Sequence, residues 1–314
     1  MNGVLTRPAP AAVARVKGKP PLSNASIVAW WFRGAVVVGG LVLPVWGEVA
    51  QVGRLEVKDL RESSGLVASR RHPDVLYTHN DRGGEPVIFA IRPDGTLLRA
   101  FRVAARHTDW EDIAIDGSGR LYVANTGNND AKRDAVEVHR LAEPDLAEQP
   151  IGTTKKGKPG KKAKGAGARL PVEHTWRLRF PGKPFDCESL FVAGRHGYLI
   201  SKVARAGERA AMYRFPLDDG AMELTLEKVT DLPIHRRATG AGLSPDGKWL
   251  AVVTEGELCL FDVSGDPAAA GRVEPRRVPL PHRKIEAVAF TPAGVMMTAE
   301  SRELYLYELA EPGR

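Results

Sequence analysis

The chain has 314 residues, 43% hydrophobic and 26% charged, which is the composition of an ordinary globular protein with ample length for a core. Its net charge of +7 belongs to two appendages: residues 1–50 carry +4 and residues 151–170 carry +7, which leaves −4 for the rest. A basic groove for sequence-specific nucleic-acid binding is therefore excluded as the main reading.

Residues 1–26 are polar and rich in Pro and Ala, without periodicity. Arg33 precedes an apolar run from Gly34 to Leu43, followed by Pro44-Val45-Trp46-Gly47. A basic residue, a short apolar run and small residues at a cleavage point describe a secretory signal over residues 1–50. The alternative is a membrane anchor at residues 27–46, although the run is short for spanning. Both readings expect a periplasmic or secreted body, in contact with a membrane only through an uncleaved N-terminal segment.

From residue 51 onward, 32 glycines and 23 prolines in the chain and scarce helical periodicity point to short strands and tight turns. Five hairpins repeat. They begin at Ser64, Glu111, Glu188, Thr239 and Glu286, with spacings of 47, 77, 51 and 47 residues. A third alternating segment follows each hairpin, and a fourth follows in four of them: 97–103, 174–180, 223–229 and 273–280. Residues 54–60 alternate polar and apolar ahead of the first hairpin, and are expected to complete the last unit and close the ring. The fold expected is an all-β, five-bladed β-propeller of four-stranded blades over 51–314. Six blades, with a weak one near 140–185, is the alternative. The long second spacing holds a Lys/Gly-rich insertion at about 150–169, whose composition cannot form a core.

The two cysteines, Cys187 and Cys259, fall on different units and are expected too far apart to bond. The histidines lack close zinc spacing, and neither a nucleophile elbow nor a phosphate-cradling loop is present.

Strand period places polar residues of equivalent repeat positions together at one mouth of the channel. Glu111, Glu188 and Glu286 start inner strands; Glu62 and Asp109 stand two positions earlier. Asn80, Asp81, Asn125, Lys202 and Glu300 end the second strands, and Asn128 lies in the loop that follows Asn125. A ring of carboxylates and amides suits a hard cation, so Ca²⁺ is the candidate cofactor, with Glu111, Asp112, Glu188 and Glu286 as candidate metal ligands. The other named residues are candidate ligand contacts. Each Glu could equally serve as a repeated hydrogen-bond acceptor for a neighbouring blade.

Glu62-Ser63-Ser64-Gly65-Leu66, Asp109-Trp110-Glu111-Asp112-Ile113-Ala114, Asp186-Cys187-Glu188-Ser189-Leu190, Thr239 to Gly247 and Ile285-Glu286-Ala287-Val288-Ala289 resemble the motifs of a bacterial group of exported propellers. At the level of fold the chain looks like the NHL, gluconolactonase-type and propeller-phytase groups. In the gluconolactonase type, a calcium sits at the channel mouth among carboxylates and amides; its ligand spacing does not align residue by residue here. The first expectation, from the acidic channel mouth, is an exported propeller that binds a small molecule or an envelope protein at that face. The second expectation is a calcium-dependent hydrolase of lactone or phosphoester type.

Overall fold

The computed structural model describes residues 37–38, 41–42, 47–146, 169–203, 205 and 207–309. The chain divides into two compact units, Met1–Val45 and Trp46–Arg314. In the first, β1 (Val37–Val38) and β2 (Leu41–Val42) form an antiparallel pair. Residues 1–36, 39–40 and 43–46 of the expected leader, and the insertion up to residue 168, lie outside the described residues, whereas residues 47–50 of that leader belong to the second unit. Among the described residues no helix is long and apolar enough to cross a membrane.

The second unit begins with β3 (Val49–Arg54). Blade one is β4 (Ser63–Ala68), β5 (Leu76–Asn80), β6 (Val87–Ile91) and β7 (Leu97–Arg102). Blade two is β8 (Asp112–Ile115), β9 (Arg120–Asn125), β10 (Ala135–Ala142) and β11 (His174–Arg179). Blade three is β12 (Cys187–Ala193), β13 (His196–Ser201) and β14 (Ala211–Pro216), completed after β15 (Glu223–Thr225) by β16 (Glu227–Asp231). Blade four is β17 (Ala238–Leu243), β18 (Trp249–Thr254), β19 (Glu257–Asp262) and β20 (Arg276–Pro279). Blade five is β21 (Ile285–Thr291), β22 (Gly294–Ala299), β23 (Glu303–Tyr307) and, as its outer strand, β3. The inner strands pack in the order β4, β8, β12, β17, β21 and back to β4, so the ring is closed.

This is the five-bladed propeller the repeats require. The six-blade alternative falls, because β10 and β11, on either side of the insertion, are hydrogen-bonded neighbours in one sheet. Closure comes from an N-terminal strand, but that strand is Val49–Arg54 rather than 54–60. The outer edge is mostly exposed and so carries little hydrophobic alternation. The apolar residues of 54–60 have another role. Leu55, Val57 and Leu60 are buried between blades five and one, where the chain crosses from the outer strand to β4. Arg302 pins that crossing by donating Nη2 to the carbonyls of Val57 and Leu60. The expected strand 223–229 is also split: β15 adds in parallel to β11 of blade two, and only β16 belongs to blade three.

Five apolar clusters fill the five gaps between blades. Each holds side chains from the facing sheets, such as Phe191 and Met212 against Leu250 and Phe261. Burying one such side chain contributes roughly 1.5–3 kcal/mol, and repetition of the interface around the ring makes the scaffold rigid. Cys187 and Cys259 are both free and buried, in agreement with their expected separation.

Candidate functional site

One backbone device recurs at the same end of every blade. The N–H groups of Asp81, Gly127, Lys202, Glu255 and Glu300 donate to the carbonyls of Glu62, Asp109, Asp186, Arg237 and Lys284, at 2.8–3.2 Å. Immediately afterwards the pairing slips: Ser63 to Gly65, Cys187 to Leu190, Ala238 to Gly240 and Ile285 to Ala287 are register breaks. An extra residue in one strand re-aims its side chain. Here the extra residues include Ser64, Glu188, Thr239 and Glu286, and all four line one cavity with Glu111.

That cavity, about 280 Å³, is the channel mouth, and Glu62, Asp81, Lys202 and Glu300 line it too. Asp81, Asp109 and Glu111 each bring a carboxylate oxygen to within 4.8 Å of the others. The close approach depends on Gly127. A Cβ there would stand 2.2 Å from both Asp109 Oδ2 and Glu111 Oε1. Arg133 holds the glycine in place, donating Nη1 to Gly127 O at 2.7 Å and Nη2 to Asn125 O at 3.0 Å.

The mouth is electrostatically loaded. Burial, with Asp81 and Asp186 nearby, lifts the Asp109 carboxyl to about 6. Burial and the charges of Glu188, Asp81, Asp109 and Asp186 push Glu111 well above the usual carboxylate range. Burial lifts Glu188 to about 7 against the opposing pull of Lys202, which is ion-paired to it. Burial and the Glu188 charge lift Glu286 to about 8. Lys202 also lies 3.7 Å from Asp186, and Lys284 pairs with Glu300 at 2.5 Å. Two buried oxygens, Asp109 Oδ1 and Glu188 Oε2, have no hydrogen-bond partner among the described residues. Clustered carboxylates in this state are relieved by a cation or by protons.

Four candidates stand elsewhere. Asp112 is fully buried in the interior and not at the mouth. Its Oδ2 accepts the N–H of Leu190 at 2.8 Å and of Ala241 at 3.2 Å, and its Oδ1 accepts the N–H of Ile113. All of its contacts are with backbone, so it acts as the inter-blade acceptor that the glutamates do not. Asn80 turns back into blade one, accepting from Arg61 and Glu62 N–H and donating to Asp59 O. Asn125 repeats this in blade two, accepting from Thr108 and Asp109 N–H and donating to Glu137. Asn128 clips blade two to blade three: its N–H donates to Asp186 Oδ1 at 2.7 Å, and its amide bonds the Arg133 backbone. Trp110 is likewise interior, donating Nε1 to Arg106 O and packing against His79 and His107.

Sequence reasoning missed Gly127, Arg133 and Arg82. The signal for Gly127 was its repeat position: it follows Asp109 by 18 residues, as Asp81 follows Glu62 by 19 and Lys202 follows Asp186 by 16. Arg82 adjoins Asp81 and lines the mouth.

No family model matches the chain, and no curated protein matches it. Among solved structures, a gluconolactonase from Xanthomonas campestris is similar at 12% identity and a TM-score of 0.47, over 83% of this chain and 89% of that one. Hydrazine synthase of Kuenenia stuttgartiensis is similar at 12% identity and a TM-score of 0.42, over 79% and 72%. A chain of a mitotic checkpoint complex is similar at 11% identity and a TM-score of 0.38, over 78% and 61%.

Proposed function

We propose that the protein is an extracytoplasmic binding propeller whose channel mouth takes a hard divalent cation, Ca²⁺ foremost, and through it an oxygen-bearing ligand. The observation that carries this reading is the set Asp81, Asp109 and Glu111, whose oxygens converge within 4.8 Å over Gly127. Oxygens bound to one Ca²⁺ at 2.3–2.6 Å each lie no more than about 5 Å apart. The partnerless Asp109 Oδ1 and Glu188 Oε2 supply acceptors that a cation would satisfy. Glu188 and Glu286 border the same cavity as outer ligands or hydrogen-bond acceptors for coordinated water. Extracytoplasmic location rests on the basic and apolar pattern of the first fifty residues.

A second reading, a calcium-dependent hydrolase of lactones or phosphoesters, draws on Glu188. A carboxyl at about 7 can take a proton from cation-bound water at neutral pH. Calorimetric titration of the protein with Ca²⁺, repeated on Glu111→Gln, tests the first reading. One tight site in the parent and none in the variant is the expected result; no heat in the parent rejects it. Hydrolysis of a lactone and of an aryl phosphate by the Ca²⁺-loaded protein, lost in Glu188→Gln, would raise the second.

A further inference from the structure

A groove of about 530 Å³ runs alongside the channel mouth. Its floor is apolar, made by Val87, Phe89 and Ala100 of blade one. One wall carries Arg61 and the other Arg82, both exposed. The wall that carries Arg61 is held in place. The Asn80 side chain accepts the N–H of Arg61 and of Glu62 and donates to Asp59 O, which pins the backbone of 59–62. On the opposite side Arg102 pairs with Glu85 at 2.7 Å. Between them Gly84, at φ +139, adopts a conformation that side-chain-bearing residues rarely enter, so the loop turns sharply and leaves the groove open.

The charges in the groove are unevenly used. Glu85 is matched by Arg102, whereas Arg61 and Arg82 have no ion-pair partner among the described residues. Asp59 and Glu62 balance them in number. Glu62 and Arg82, however, line the channel mouth as well, so groove and mouth are one continuous surface. A divalent cation held at the mouth by Asp81, Asp109 and Glu111 would reduce the negative charge beside the groove. Two guanidinium groups above an apolar floor then present paired donors to oxyanions and a platform for a carbon skeleton.

We propose that this groove holds the anionic substituent of the ligand, which makes the ligand class an organic anion: a phosphate- or carboxylate-bearing small molecule, of sugar size, bridging from the cation to Arg61 and Arg82. This rests on the cation reading above. The ligand's electron-rich oxygens would serve two purposes, chelation at the mouth and bidentate pairing in the groove. Its uncharged analogue would lose the second.

The test is calorimetry on the full chain with Ca²⁺ alone, then with glucose 6-phosphate, gluconate and glucose, each with and without Ca²⁺. At least one of the two anions should bind the Ca²⁺-loaded protein, and which one tells phosphate from carboxylate. Glucose should bind at least tenfold more weakly. R61A should weaken the bound anion tenfold or more while Ca²⁺ affinity stays within about threefold, because Arg61 lines the groove and not the mouth. R82A should weaken the anion similarly. Retained melting temperatures would show both variants folded. Failure of both anions to bind, equal binding of glucose, or an R61A variant that binds like the parent overturns the groove proposal. If Ca²⁺ does not bind but an anion does, and R61A abolishes it, the cation reading falls and the groove stands.

Discussion

Asp112 Oδ2 accepts the backbone N–H of Leu190 at 2.8 Å, which joins the second blade to the third inside the propeller. The same oxygen takes the Ala241 N–H, so one carboxylate holds three blades together. Burial pushes its carboxyl well above the usual range, opposed by the N–H donors around it. Asp112→Ala takes the acceptor from three buried N–H groups, those of Ile113, Leu190 and Ala241, at about 1–3 kcal/mol each. The expected result in urea unfolding is a loss of about 3 kcal/mol or more, with Asp112→Asn losing less because its amide oxygen still accepts. An Asp112→Ala protein with parental stability would show that the bond contributes nothing.

Gly127 should separate site from fold. The atoms its Cβ would meet are the free ends of Asp109 and Glu111, which can swing away, and not backbone. Gly127→Ala is therefore expected to melt within a few degrees of the parent yet bind Ca²⁺ at least tenfold more weakly. Unaltered Ca²⁺ affinity would mean that these two carboxylates are not the ligands.

Stability without cation should fall as pH rises through neutrality. Asp109, Glu188 and Glu286 titrate at about 6, about 7 and about 8 in the folded protein, against ordinary values near 4 when unfolded. Between about pH 4 and 8 the folded state therefore binds more protons, and raising the pH favours unfolding. Ca²⁺ competes with those protons and replaces them. The melting temperature in a chelator should be higher at pH 5.5 than at pH 8, and Ca²⁺ should raise it more at pH 8. A chelator curve that rises over this interval would contradict the placement of these groups.

Lys202 neutralises Glu188 and Asp186 beside the candidate cation site. Replacing it with methionine removes a competing positive charge at short range. Lys202→Met is expected to bind Ca²⁺ several-fold more tightly and to melt lower in chelator than the parent. Unchanged Ca²⁺ affinity would place the cation away from Lys202 and Glu188.

Both thiols are buried and unpaired. Burial pushes Cys187 well above the usual thiol range and Cys259 to about 11. A thiol reagent should titrate no cysteine in the native protein and two after denaturation without reductant. A titre of zero after denaturation would reveal a disulfide.

The sequence by itself determined the architecture and the list of polar residues near one end of it. Both follow from local rules: strand period two, Gly- and Asp-containing turns, and a unit of about fifty residues repeated five times. Glu62, Asp109, Asp186, Arg237 and Lys284 align in sequence, and the same five carbonyls accept the same hydrogen bond in space. Only the tertiary structure decided which side chains reach the mouth. Glu111 and Asp112 are neighbours, yet successive strand residues point to opposite sides, and one faces the cavity while the other is sealed among the blades. Asn80 and Asn125 end strands beside the mouth but spend their amides on their own blades. Gly127 matters because of space that two side chains occupy, and Arg61 because of a groove made by three stretches of the chain, 59–62, 80–89 and 100–102. Those relationships join positions as far apart as 129 residues, as between Asp112 and Ala241, and closure of the ring is what brings them into contact.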